Sequence, residues 1–289
     1  MSYPKQFSFL ALLFFFTAQN GYSQQKSVLF KVQKEGYPNS FVFGTLHMVP
    51  EENLVLSEPL KSCLYSCDEL VLEADIFSAS TDDVMKYGIL PNGGHLDTAL
   101  SHADYELLDA ALTESSGVGL LAFNSFKPFM IDATLMASAI PAGSQSWESV
   151  LATSKYIVDE NKPISFLETI EQQLCFFDSI PVRMQLAQTL DYLKEGEGME
   201  AEYQKLLKLY LVGDVAAIYN YTIENIDDPR YLYFLLEKRN RAWVPNLAEK
   251  MRSKSLFVGV GAAHLGGENG ILALLRAEGF QVTEWIEID

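Results

Sequence analysis

Two segments at opposite ends of the chain share one pattern. Residues 41–47 read FVFGTLH and residues 257–264 read FVGVGAAH. In each, an apolar run leads into Gly-x-x-His, and a polar loop, a helical stretch and a further apolar run follow. The apolar runs are short and rich in β-branched and aromatic residues, which marks buried strands. Glycine at the end of a buried strand lets the backbone turn or approach a neighbour closely. The histidine behind it then stands at the carboxyl edge of the sheet, where open α/β sheets build their sites. The repeated unit predicts that the two ends of the chain meet, with Gly44 and Gly261 closing neighbouring strands of one sheet.

The rest of the chain fits around that sheet. Residues 27–33 and 40–44 flank Gly36, Pro38 and Asn39 and read as a β-hairpin. Residues 58–66 form a short helix, and 69–74 (ELVLEA) a buried strand that ends on a carboxylate, Glu73. A helix over 82–88 is stopped by Pro91-Asn92-Gly93-Gly94. From Ser101 to about residue 160 the pattern is mainly helical, and 163–167 is a strand running into Glu168. Helices are expected over 171–177, 183–195, 199–212, 215–224, 229–240 and 243–250. A strand over 255–260, a helix over 268–278 closed by Gly279, and a strand over 280–288 complete the chain. The expected fold is α/β (α+β): a central mixed β-sheet built from the N- and C-terminal strand–Gly-x-x-His units and flanked by helices. Residues 24–289 would form one domain, with a helical insertion or lobe at about 101–250.

The first 23 residues read as an address. Lys5 precedes an apolar run, FSFLALLFFF, and Gly21 and Ser23 are small residues before a cut at Gln24. The run is shorter than the roughly 20 residues that span a bilayer, although an uncleaved anchor is the alternative. A signal peptide over 1–23 implies export, to a periplasm or the exterior, with no stable membrane span afterwards. The net charge of −17 argues against nucleic acid and anionic lipid as partners. Cys63, Cys67 and Cys175 are odd in number. Buried small hydrophobes are the expectation for them, with a Cys63–Cys67 disulfide as the alternative.

Two imidazoles from two strand ends, with a carboxylate from an adjacent strand end, make a three-donor metal site with room for water. The first unit offers Glu73, and the second Glu284 and Glu287. A histidine at a strand end can equally be a hydrogen-bonded structural residue. Four stretches carry a family resemblance: 41–50 (FVFGTLHMVP), 70–75 (LVLEAD), 162–173 (KPISFLETIEQQ) and 256–280 (LFVGVGAAHLGGENGILALLRAEGF). They resemble the TraB/GumN family, which includes pheromone-shutdown TraB proteins, GumN-type proteins and the Wnt-cleaving Tiki metalloproteases. Arg239-Asn240 is a weaker match, and residues from about 76 to 160 are divergent. The resemblance implies a functional core of His47, His264 and Glu73 around a divalent metal ion, with Zn, Mn and Co not distinguished. It implies a second tier at Glu168, Gln172, Arg239 and Asn240, and a peptide or protein substrate. Lys238 stands where many relatives carry an acid, and Ala263 where many carry glycine.

Other residues have plainer readings. His95 follows a turn and His102 starts a helix, so both are expected at the surface. Asp75 lies two residues beyond Glu73 and is a candidate outer partner for a histidine. Phe176-Phe177 and the tyrosines of 219–233 either line a groove for peptide or pack in the core. The glycines at 259–270 lack Gly-x-Gly-x-x-Gly spacing, which sets dinucleotide binding aside. The function expected is a metal-dependent hydrolase acting on peptide bonds. His47, Glu73 and His264 would hold the ion, and Glu73, Glu168 and Arg239 would serve catalysis. The alternative is a non-catalytic extracytoplasmic protein of the same fold that binds a peptide or signal.

Overall fold

Burial of the first hairpin, complete along its second strand, sets the sheet. Strand β1 (Leu29–Gln33) pairs antiparallel with β2 (Ser40–Thr45), and Gly36 turns the chain between them at φ 79°. The computed structural model describes residues 26–75, 77–78, 80–158, 162–195, 198–224, 226 and 228–285. The expected signal peptide and Glu287 lie outside the described residues.

Helix α1 (Glu58–Ser66) is capped by Ser57 and leads to β3 (Glu69–Ala74). Then α2 (Thr81–Gly88) starts on a Ser80–Asp83 capping box, and α3 (His102–Ser116) runs from a Ser101 cap to a left-handed Gly117. Helices α4 (Pro128–Ala139) and α5 (Trp147–Val158) precede β4 (Ile164–Glu168). Next come α6 (Ile170–Cys175), α7 (Val182–Glu195), α8 (Gly198–Val212), α9 (Val215–Glu224), α10 (Pro229–Leu232) and α11 (Lys238–Lys250). Strand β5 (Leu256–Gly261), α12 (Ile271–Ala277) and β6 (Gln281–Glu284) follow.

The six strands lie in the order β4-β3-β5-β2-β1-β6. Strands β4, β3, β5 and β2 are parallel, and β1 is antiparallel to both of its neighbours. The two ends of the chain therefore meet as the repeated unit predicted: β2 pairs with β5, Gly44 opposite Val260 and Thr45 opposite Gly261. The period-2 alternation divides the strands between two cores. Phe43, Leu70, Leu72 and Phe257 pack on Leu64, Trp147, Leu151 and Tyr210 on one side. Val42, Val71 and Val258 pack on Val244, Leu247 and Leu275 on the other. A third cluster, including Leu108, Leu112, Ile131, Leu135 and Leu186, joins α3, α4 and α7.

Two boundaries differ from expectation. Residues 229–250 do not break near 241; a π-helical turn, Tyr233–Glu237, joins α10 to α11, and Pro245 sits inside α11. A proline usually ends a helix, but here burial of Trp243, Val244 and Leu247 carries the helix through it. The last helix starts at Ile271, because Gly266, Gly267 and Gly270 form a loop pressed against Tyr219 and the backbone, with no space for a Cβ at any of them. Tight packing explains that glycine run. Cys63 and Cys67 are buried free thiols. No helix among the described residues is long and apolar enough to cross a membrane.

Candidate active site

The four parallel strands end at one edge of the sheet, and each delivers a polar side chain there. Strand β3 carries Glu73 in its last turn of pleat, β4 ends on Glu168, His47 follows β2, and His264 follows β5. Close packing of the two Gly-x-x-His units depends on glycine. A Cβ on Gly44 would lie 2.9 Å from Leu265 and 3.1 Å from the Ala262 backbone. Gly261, bare of side chain, lets its N–H donate to Glu73 Oε1 at 2.6 Å.

Glu73, Val71 and Glu69 share the face of β3 that looks onto α11, so the first turn of that helix meets the strand ends. Arg239 reaches from it into the centre. Its Nη2 donates to Glu73 Oε2 (2.8 Å) and Glu168 Oε1 (2.5 Å), its Nε to Glu168 Oε2 (3.2 Å), and its Nη1 lies 3.2 Å from both His264 Nε2 and Leu235 O. The guanidinium also stands over Trp243, 4.6 Å from the ring centre, and Trp243 lies against the His264 ring. Glu73, His264 and Asn240 are all buried.

The hydrogen bonds fix the state of His264. Asn240 Nδ2 donates to the carbonyls of His264 and Asn269, so its Oδ1 is the atom 2.6 Å from His264 Nδ1. An acceptor at that distance requires the proton on Nδ1 and leaves the Nε2 lone pair toward Arg239 and Glu73 Oε1, the latter 3.8 Å away. Burial, with Arg239 beside it, pushes the His264 pKa down to about 3, so the ring is neutral at neutral pH. Burial alone would raise Glu73; with His264 neutral, Arg239 is the standing counter-charge, and with His47 and the Gly261 N–H it holds the carboxyl below the ordinary carboxylate range. Burial raises Glu168 above the ordinary carboxylate range in spite of Arg239.

His47 stands differently. Its Nδ1 lies 3.3 Å from Glu148 Oε1, an oxygen that also accepts from Thr45 Oγ1 at 2.8 Å. Glu148 is buried on the first turn of α5, and its Oε2 has no partner among the described residues. Glu148 raises the His47 pKa above the ordinary imidazole range, and solvent screens part of that attraction because the His47 side chain is 72% exposed. His47 and Glu73 line one cleft of about 420 Å³ with Glu148, Phe176 and Phe177.

The structure thus brings Glu73, Glu168, Arg239 and His264 into direct contact, with His47 across the same cleft. It does not bring in Glu284, which is exposed on β6 at the far edge of the sheet. Asp75 ties a turn through Ser78 instead of orienting an imidazole. His95 and His102 are exposed, on Asn124 and Glu106 respectively. Lys238 lies over the Phe234 ring, away from the strand ends. The imidazole anchors are Glu148, which sequence reasoning missed, and Asn240. Only a carboxylate in the first turn of a helix marked Glu148, and that pattern usually means an exposed acid at a helix start.

Among the described residues no group of three His, Cys, Asp or Glu side chains is already gathered as a metal shell. The donor chemistry nonetheless suits a divalent ion. Each imidazole is held through Nδ1 by a side-chain oxygen and a carboxylate lies beside His264, so a divalent ion could be taken up at Nε2 once Arg239 Nη1 releases His264 and His47 gives up a proton.

These features define a mixed α/β protein with a His/Glu/Arg cluster at the carboxyl ends of parallel strands. Residues 28–284 match the TraB/PrgY/gumN family, and the chain belongs to it. No curated protein and no solved structure matches the chain.

Proposed function

We propose that the chain is an exported metal-dependent hydrolase of peptide bonds, in which His47, Glu73 and His264 hold a divalent ion. The observation that carries this reading is the placing of His264, a buried imidazole anchored through Nδ1 by Asn240, whose Nε2 lies 3.2 Å from Arg239 Nη1 and 3.8 Å from Glu73 Oε1. A bound divalent ion would supply Lewis acidity and a water of lowered pKa. His264 needs no deprotonation to serve as a donor. Arg239 Nη1 would release Nε2 and keep Leu235 O as its acceptor. Arg239 would then hold Glu73 and Glu168 in place and offer an N–H to a substrate carbonyl oxygen. Glu168, held by Arg239 through both oxygens, stands where it could relay a proton to a leaving amine. The acidic chain, with residues 1–23 as a signal peptide, would act in a periplasm or outside the cell.

One observation favours a second reading. Arg239 already balances Glu73 and Glu168 without an ion, which suits a protein that binds a peptide and does not cut it. Turnover of a peptide library by the purified chain, with chelator and with metal restored, separates the two. The hydrolase reading expects cleavage that chelator abolishes and metal restores. It also expects a loss of about 100-fold or more in His47→Ala and His264→Ala with the circular dichroism spectrum unchanged. Peptide binding without cleavage replaces it with the alternative, and cleavage indifferent to chelator removes the metal and with it the hydrolase reading as stated.

A further inference from the structure

The cleft that Glu73 and His47 share is lined by polar Ser146, Glu148 and Gln173 and by apolar Leu174, Phe176 and Phe177. The rings form a continuous platform: Phe176 and Phe177 centres are 4.1 Å apart, and Phe177 stacks on Phe129 at 4.7 Å and 20°. Phe176 in turn faces the Arg239 guanidinium at 5.7 Å, so the platform adjoins the group that holds Glu73 and Glu168.

Aromatic residues in such a place are usually core. These are not: Leu174, Phe176 and Phe177 are half-buried, and among the described residues none belongs to the three core clusters. Their apolar surface is held in place from behind. Lys127, a buried lysine, donates to Leu174 O at 3.2 Å and pairs with Asp178 at 2.7 Å, which clamps the segment on both sides of the two rings. A wall that is apolar, rigid and open to the cleft is pre-organised for a ligand. A cleft of about 420 Å³ falls within the range of sites that take a small ligand group.

We infer that this wall is a pocket for one large apolar side chain of a peptide, next to the bond to be cut, and that Leu174, Phe176 and Phe177 set the preference. The chemistry of cutting rests on the hydrolase reading above; the pocket itself does not. A charged side chain would lose hydration against the rings, and the carboxylates of the cleft are already engaged, Glu73 by Arg239 and Glu148 by His47 and Thr45. A small polar side chain would leave the apolar surface wet.

Blocked tripeptides that differ only in the central residue (Phe, Leu, Ala, Ser or Lys) test this by calorimetric titration into the full chain, with and without added zinc ion. Phe and Leu peptides are expected to bind at least about tenfold more tightly than Ser or Lys peptides. Phe177→Ala should erase the preference and Phe177→Leu should keep most of it. Leu174→Ser serves in the same role if Phe177→Ala fails to fold. Equal binding of all five peptides, or no binding of any, overturns the inference. Following the same peptides for cleavage keeps the two ideas apart. Selective binding without cleavage leaves the pocket standing and removes the hydrolase assignment.

Discussion

An imidazole serves as a donor only when its free nitrogen is aimed, and the other nitrogen does the aiming. Two different oxygens perform this task here. Asn240 is itself fixed by two backbone carbonyls, so His264 has one tautomer and one orientation. Glu148 holds His47 with help from Thr45, the residue that follows the first glycine. Glu148→Ala should therefore free the His47 ring. Zinc affinity, measured by competition with a chromophoric chelator, is expected to fall about 10- to 100-fold. The melting temperature should hardly fall, because the lost carboxylate has an unpartnered buried oxygen. Glu148→Gln keeps an acceptor oxygen and should recover part of the affinity. A lowered melting temperature with unchanged zinc affinity would make Glu148 a structural residue only.

At the scale of elements, what the sequence revealed depended on how local the signal was. The hairpin, β3, β4 and β5 carry their own period, and the glycines behind β2 and β5 show where the strands must turn, so the edge holding His47, Glu73, Glu168 and His264 was legible. The contact of α5 with that edge was not, and Arg239 on α11 was marked for the site only by the family resemblance. Arg239 lies 166 positions from Glu73, and Glu148 is 101 positions past His47; no local pattern encodes such a meeting. The π turn before α11 was also hidden, since the residues on both sides of it favour helix equally. The packing of helices hides a cost as well. Asp132 on α4 accepts from Thr189 on α7 but has no cationic partner among the described residues, and burial raises its pKa to about 6. The folded chain therefore holds that proton more tightly than the unfolded chain, whose value is near 3.8. Stability tied to Asp132 is lost as pH rises from about 4 to 6 and stays lost above. Asp132→Asn is expected to stabilise the chain by about 1–3 kcal/mol at pH 7. It should do nothing below pH 4, as read by urea denaturation at both values. Destabilisation at pH 7 would mean that the charge has a partner after all.

At the scale of the whole molecule, one helix is clamped at both ends of the sheet. Helix α11 begins over the carboxyl ends of β3 and β4, where Arg239 grips Glu73 and Glu168, and finishes over their amino ends. There Lys250 donates to Glu69 Oε1 (2.5 Å) and Ser165 Oγ (2.7 Å), and Lys254 to Glu69 Oε2 (2.9 Å). Between the clamps Val244 and Leu247 pack on the valines of the sheet, so a shift of the helix would carry Arg239 with it. Burial would push Glu69 up, but the hydrogen bonds from Lys250, Ser165 and Lys254 hold it at about 2. The folded value lies below the unfolded value near 4.5, so this stabilisation is complete above about pH 4.5 and drains away as pH falls toward 2. Glu69→Gln should cost about 1–3 kcal/mol at neutral pH, since two half-exposed lysines lose a charged acceptor but can turn to water. Other carboxylates also titrate in acid, so the informative quantity is the difference between the two proteins, followed by urea denaturation from pH 7 down to about 3. That difference should narrow steadily below about pH 4.5 as Glu69 in the parent chain takes up its own proton. If it stays constant across the range, apolar packing and not the Glu69 charge holds that end of α11, and the clamp beside the candidate active site is the only ionic one the helix uses.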